Sequence, residues 1–174
     1  LGQLIAIADP EGIAWSYAYD AYGNRSSASD PGLGTWTMSY DTNGNLTGQT
    51  DAKGQSISFV YDALNRVTSK TAGTGTAQAI SQYTYDEVRA GYKNIGKLTT
   101  TTLTLPATAT IVHRIETDYD NQGLKARDRH TLDGRTYALQ WSYGVDGSLL
   151  DQSLPDSPGA TTAAWLGAPL AYDA

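Results

Sequence analysis

Tyr40-Asp41-Thr42-Asn43-Gly44-Asn45-Leu46 is followed 21 residues later by Tyr61-Asp62-Ala63-Leu64-Asn65-Arg66-Val67. Between them run a polar stretch, Thr47-Gly48-Gln49-Thr50, a turn, Asp51-Ala52-Lys53-Gly54, and an alternating run, Ser56-Ile57-Ser58-Phe59-Val60. One unit is thus a Tyr-Asp turn, a polar strand, an Asp-x-x-Gly turn and a strand with one apolar face. A fixed period of this kind is the signature of a repeat architecture and is read before any single residue.

The unit recurs. Its anchors are Tyr19-Asp20, Tyr40-Asp41, Tyr61-Asp62, Tyr85-Asp86, Tyr119-Asp120, Tyr143-Gly144 and Tyr172-Asp173, spaced by 21, 21, 24, 34, 24 and 29 residues. No gap is shorter than 21 residues, as expected when insertions are confined to loops. The anchor Asp is placed to accept backbone N–H groups across a tight turn. Four residues after the Tyr stands Gly23, Gly44, Gly123 or Gly147, or at the third anchor Asn65, residue types that tolerate positive φ. The fourth anchor has Arg89 there, its glycine delayed to Gly91 or Gly96, which predicts an enlarged loop over Glu87–Gly96.

A second set of turns reads Asp9-Pro10-Glu11-Gly12, Asp30-Pro31-Gly32-Leu33-Gly34, Asp51-Ala52-Lys53-Gly54 and Leu132-Asp133-Gly134-Arg135, with a looser version at 72–76. Strands leading into each Tyr alternate with period two. Ile13, Trp15, Tyr17 and Tyr19 are expected on one face. So are Trp36, Met38 and Tyr40; Ile57, Phe59 and Tyr61; Ser81, Tyr83 and Tyr85; Ile111, His113, Ile115 and Tyr119; and Tyr137, Leu139, Trp141 and Tyr143. Thr37, Ser39, Ser56, Ser58, Gln140 and Ser142 belong to the other. The apolar parity of the run 98–105 shifts between Leu98 and Leu103, which predicts a bulge or loop in that strand. A short helical turn is conceivable only within Asp156–Trp165, where a loop is expected. The fold class is therefore all-β: an antiparallel hairpin meander that extends repeat by repeat and, because sheets twist, curls into a spiral or open shell segment. Residues 1–174 are expected to form one array of about seven units, partial at both ends and cut from a longer protein.

Composition agrees. Among the 174 residues 40% are hydrophobic and only 17% charged, with 12 Tyr against one Phe. Tyr covers apolar surface while its hydroxyl stays hydrogen-bonded, which suits a thin, wetted sheet. A net charge of −6 speaks against nucleic acid or an anionic membrane as the main partner. Without cysteine there is no disulfide, zinc thiolate or thiol nucleophile. No apolar run is long enough for a membrane span.

Tyr40-Asp41-Thr42-Asn43-Gly44-Asn45-Leu46-Thr47 together with Tyr83-Thr84-Tyr85-Asp86 resembles the YD-repeat, or RHS-repeat, family, and the likeness extends over essentially the whole chain. The resemblance implies strands wound into a hollow cocoon. In bacterial RHS proteins and the BC component of ABC toxin complexes the cocoon encloses a C-terminal toxin; teneurins carry a similar shell, and some relatives are associated with carbohydrate. It implies further YD repeats and an encapsulated effector as partners, and a bacterial secreted or cell-surface location. The family's core motif and its aspartate-dependent self-cleavage site have no counterpart here, so self-cleavage does not carry over.

Three classes of function were weighed. The leading one is a structural, non-enzymatic wall that carries a cargo, with no cofactor and no metal. The second is an adhesion module binding glycans or protein through its sheet edges and Trp15, Trp36 and Trp141, with edge-to-edge self-association as a variant; the aromatic stripe reads more simply as cross-strand packing. The third, an enzyme, needs a pocket joining His113 or His130 to carboxylates, and the alternation supplies none. Asp41–Asn45 misses the calcium-loop spacing. Asn24-Arg25-Ser26 and Asn45-Leu46-Thr47 match the glycosylation triplet, as turn-rich composition produces by chance. Asp118-Tyr119-Asp120 reads as turn chemistry plus an exposed charge, and Lys125–His130 as a solvated basic strand.

Overall fold

The computed structural model describes residues 2–75, 77–106, 108 and 110–153, and every element in them is a strand or a turn. No helix among them is long and apolar enough to cross a membrane. The chain divides into two compact units, Leu1–Ile80 and Ser81–Ala174.

The first unit holds β1 (Ala6–Ala8), β2 (Ala14–Tyr19), β3 (Arg25–Asp30), β4 (Gly34–Tyr40), β5 (Leu46–Thr50), β6 (Ser56–Tyr61) and β7 (Val67–Ala72). Each pairs antiparallel with the next in sequence. β8 (Ala79–Tyr85) begins at the end of this unit and lies mostly in the second. The second unit continues with β9 (Leu98–Leu105), β10 (Thr110–Tyr119), β11 (Lys125–Leu132), β12 (Arg135–Tyr143) and β13 (Leu149–Ser153), again antiparallel neighbours in order. The expected meander is what both units contain.

Burial follows the period-two pattern. In β4, Gly34, Trp36, Met38 and Tyr40 are half-buried while Thr35, Thr37 and Ser39 are exposed. β2, β6, β8 and β12 alternate likewise into Tyr19, Tyr61, Tyr85 and Tyr143. No hydrophobic side chain among the described residues is buried; the buried residues are Asn94, Thr99, Thr100, Asp118 and Asp128. Apolar groups thus line a sheet face and do not fill a core between two layers.

Two strand expectations need correction. Ile13 and Ile111 leave the apolar stripe: both are exposed. Ile13 precedes β2 and closes the Asp9 turn, its N–H on the Asp9 carboxylate at 2.7 Å. The irregularity expected in β9 sits on its partner: β9 runs unbroken from Leu98 to Leu105, and the register shifts between Ile111 and His113 of β10. That extra residue, Val112, reverses which face Ile111 takes. The 156–165 segment lies outside the described residues.

Candidate functional site

The anchors at Asp20, Asp41, Asp62 and Asp120 are built by the same local chemistry. The Asp20 carboxylate accepts the N–H groups of Tyr22 and Asn24, both at 2.9 Å. Asp41 does so from Asn43 and Asn45, Asp62 from Leu64 and Arg66, and Asp120 from Gln122 and Leu124. The backbone closes the same loop: the Asp41 N–H donates to Asn45 O and the Gly44 N–H to Asp41 O. The residue that finishes the turn is left-handed, at φ 82° for Gly44 and 59° for Asn65, with Gly23, Gly123 and Gly147 alike. Where Gly144 replaces the Asp, Asp146 supplies the carboxylate, accepting from the Ser148 N–H and hydroxyl.

These bonds hold the Asp20, Asp41 and Asp62 carboxyls below the usual range. The Asn24 amide does most at Asp20 and the Asn45 amide at Asp41; at Asp62 the Arg66 N–H leads.

Five anchor Tyr side chains, Tyr19, Tyr40, Tyr61, Tyr119 and Tyr143, reach back across the ladder to an earlier backbone carbonyl. Tyr40 donates its hydroxyl to Arg25 O at 3.0 Å, and Arg25 is the residue paired with the previous anchor, Tyr19. Tyr61 donates to Leu46 O at 2.8 Å, and Leu46 is paired with Tyr40. Tyr143 donates to Lys125 O at 3.0 Å, and Lys125 is paired with Tyr119. Tyr19 and Tyr119 reach Leu4 O and Leu98 O in the same way. At Tyr19, Tyr40, Tyr61, Tyr119 and Tyr143 the ladder shifts register at the Tyr itself. A shifted ladder leaves backbone groups to be satisfied, and the hydroxyl supplies one partner. The result is a clasp from one repeat to the next, reinforced between turns by the Asn43 and Asn45 amides, both donating to Asn65 Oδ1.

Trp15, Trp36 and Trp141 fall on the anchor face of their strands. Trp15 donates its indole N–H to Asp30 at 3.0 Å. Trp36 lines a shallow recess with Trp15, Tyr17, Met38 and Gln49. Trp141 lies in the second unit under the Lys125 ammonium, 5.8 Å from its ring. In the two glycosylation triplets the Asn24 and Asn45 amides are already donating to Asp20 and Asp41.

The fourth anchor is different. Asp86, at φ 63°, accepts the Gly96 N–H, so Gly96 closes this turn after a ten-residue excursion. That excursion lies against β10. The Lys93 N–H donates to Tyr119 O at 2.8 Å, and the Asn94 amide accepts the Tyr119 N–H while donating to Asp118 and Glu87 O. Beneath it Asp118 is 0% exposed. Arg89 Nη1 meets Asp118 at 2.9 Å, Arg127 Nε meets its other oxygen at 2.9 Å, and Arg89 Nη2 meets Glu87 at 2.7 Å. The Thr99 and Thr100 hydroxyls complete the Glu87 carboxylate. Glu116, on the same face of β10, binds Arg114 at 3.0 Å and Arg129 at 3.1 Å.

This overturns two readings. Asp118 is not an exposed charge, because the excursion covers it. Lys125–His130 is not a solvated basic strand: Arg127 and Arg129 face Asp118 and Glu116 across the ladder, and on the other face Lys125 pairs with buried Asp128 at 2.9 Å. Burial pushes the Asp118 carboxyl up, but hydrogen bonds from Asn94, Arg89 and Arg127 outweigh it and leave the group below its ordinary value. Glu87 follows the same balance, with burial opposed by Thr100, Thr99 and Arg89. The signal in the sequence was Arg89 itself, a charged residue in a glycine position followed by ten residues of insertion.

The two histidines meet across β10 and β11, His113 Nε2 lying 3.2 Å from His130 Nδ1. No cluster of three or more metal-ligating side chains exists among the described residues.

Residues 1–35 and 40–77 match the model of the RHS repeat. No curated protein matches the sequence. Among solved structures, the TcdB2-TccC3-Cdc42 crystal structure is similar over 81% of this chain, with a TM-score of 0.67 and 16% identity. A Photorhabdus luminescens Tc holotoxin pore with a mutated TccC3 is similar over 83%, with a TM-score of 0.57 and 15% identity. The chain spans 7% and 9% of those two chains, so the likeness is one of fold over a short length of them.

Proposed function

We propose that this chain, whose residues 1–35 and 40–77 match the RHS repeat, is a length of β-wall from a larger exported bacterial protein, where it helps enclose a polypeptide cargo, a toxin effector. The observation that carries the proposal is the repeat-to-repeat clasp. Tyr40, Tyr61 and Tyr143 each bond to a backbone carbonyl of the preceding strand, so repeats join by one rule that can extend to any length. A wall needs this; an active site does not. The absence of buried apolar side chains among the described residues supports the same reading, because a half-covered aromatic face is complete only against something else.

The work is steric. The dense set of charges around Asp118 is neutralised internally, guanidinium against carboxylate, and its carboxylates are tied up by those partners. The test is to purify the protein encoded by the whole gene and treat it with protease. A C-terminal segment resistant in the intact protein, and digested once the wall is denatured, is the expected result. A segment digested equally fast in both states would overturn enclosure.

A further inference from the structure

The histidine pair is unused by the wall reading, and its geometry is specific. His113 Nε2 and His130 Nδ1 are 3.2 Å apart, with ring centroids 5.5 Å apart and planes inclined by 27°. The centroid distance exceeds the nitrogen distance by about two ring radii. The facing nitrogens therefore lie near the line between the rings: the imidazoles meet edge to edge, each aiming a nitrogen at the other. An ion held at about 2.0–2.1 Å from both nitrogens would have to sit well off that line, so the pair as built is no metal seat. It is the geometry of an N–H···N hydrogen bond, with one proton between two nitrogens.

We propose that His113 and His130 form an acid-sensitive clip between β10 and β11. Histidine is the side chain that changes charge between about pH 5 and 8. With both rings neutral, one nitrogen donates and the other accepts. A first added proton goes to a nitrogen away from the contact and strengthens the bond. A second leaves both facing nitrogens carrying hydrogen and both rings positive, and the contact has to open. In the ladders His113 stands opposite Leu103 of β9 and Leu132 of β11, and His130 opposite Ile115 of β10 and Tyr137 of β12. On this face Asp128 is held by Thr117 and Lys125, while Arg114, Glu116 and Arg129 point to the other face. Arg135 pairs with Leu132 at the hairpin end and adds positive charge.

The facing nitrogens can both carry hydrogen only once the contact has opened. The unfolded chain then binds more protons, and stability falls as pH drops through this window. The window lies above that of the carboxylates on the opposite face, which matters only below about pH 4.

Proton NMR of the two imidazoles in the whole chain tests the clip. In the wild type the pair should titrate in two steps more than about one pH unit apart. In His113→Gln, whose amide can still donate to His130, the surviving histidine should titrate in a single step. Once corrected for the intrinsic fall of amide exchange with pH, opening at the β10–β11 amides should rise at least tenfold between pH 7 and 5 in the wild type and stay level in that variant. Coincident titrations in the wild type, or equal acid acceleration of exchange in both proteins, would overturn the proposal.

Discussion

Two stretches between Tyr anchors solve the same problem differently. From Tyr19 to Val67 the first unit repeats without insertion, and each turn is closed within five residues by one Asp and one left-handed residue. From Tyr85 to Tyr119 the second unit opens that turn, threads Arg89 back under the excursion and buries Asp118. The first solution is local, so each repeat carries its own stability. The second is long-range: Arg89 meets a carboxylate 29 positions away, and the excursion has no purpose without it.

The contrast can be broken most sharply at Asp118. Asp118→Ala strands Arg89 and Arg127 beneath the excursion, and loss of one partner of a buried pair costs about 3–5 kcal/mol. Urea unfolding of the whole chain measures it; a loss below about 1 kcal/mol would mean the network is ornamental. The same site sets an acid limit. Its carboxyl is depressed in the folded chain, so its contribution is present above the ordinary carboxylate value of about 3.8 and is lost as pH falls through the lower folded one. Unfolding midpoints measured down to pH 2 should therefore fall more steeply for the wild type than for Asp118→Asn.

Gly34→Ala attacks the regular unit. The glycine sits at φ 78°, and an added Cβ would lie 2.4 Å from the Ala52 methyl of the next turn. Strain of this kind costs about 1–3 kcal/mol. Calorimetry should show a lower transition, and an unchanged one would remove the argument that turn glycines set the repeat. Tyr40→Phe is the mildest change. It deletes the clasp to Arg25 O while keeping the ring, at about 0.5–1.5 kcal/mol. Tyr61→Phe should cost the same within error, because the clasp is the same.

The strands, their antiparallel order and most of the turns were legible in the residues, because alternation, Asp and Gly act over two to five positions. The clasps were half legible: the anchor Tyr was visible by its spacing, but the carbonyl it reaches depends on a register shift that no pattern in the residues announces. The bulge in β10 was placed on the wrong strand for the same reason, since parity shows a mismatch between partners without saying which one carries the extra residue. The histidine contact was invisible, because it depends on which residues of β10 and β11 stand opposite one another.

By itself the sequence determined the repeat: where the chain turns, which residues hold the turns, and which strand face is aromatic. Those are near-neighbour matters, fixed by backbone sterics and side-chain hydrogen bonds within a few residues. Tertiary structure alone decided that Asp118 is buried, that Arg127 and Arg129 are paired, and that His113 and His130 share a contact. Each of these depends on cross-strand register and on an excursion lying over the ladder, and a charge reads the same in a sequence whether water or a guanidinium stands beside it.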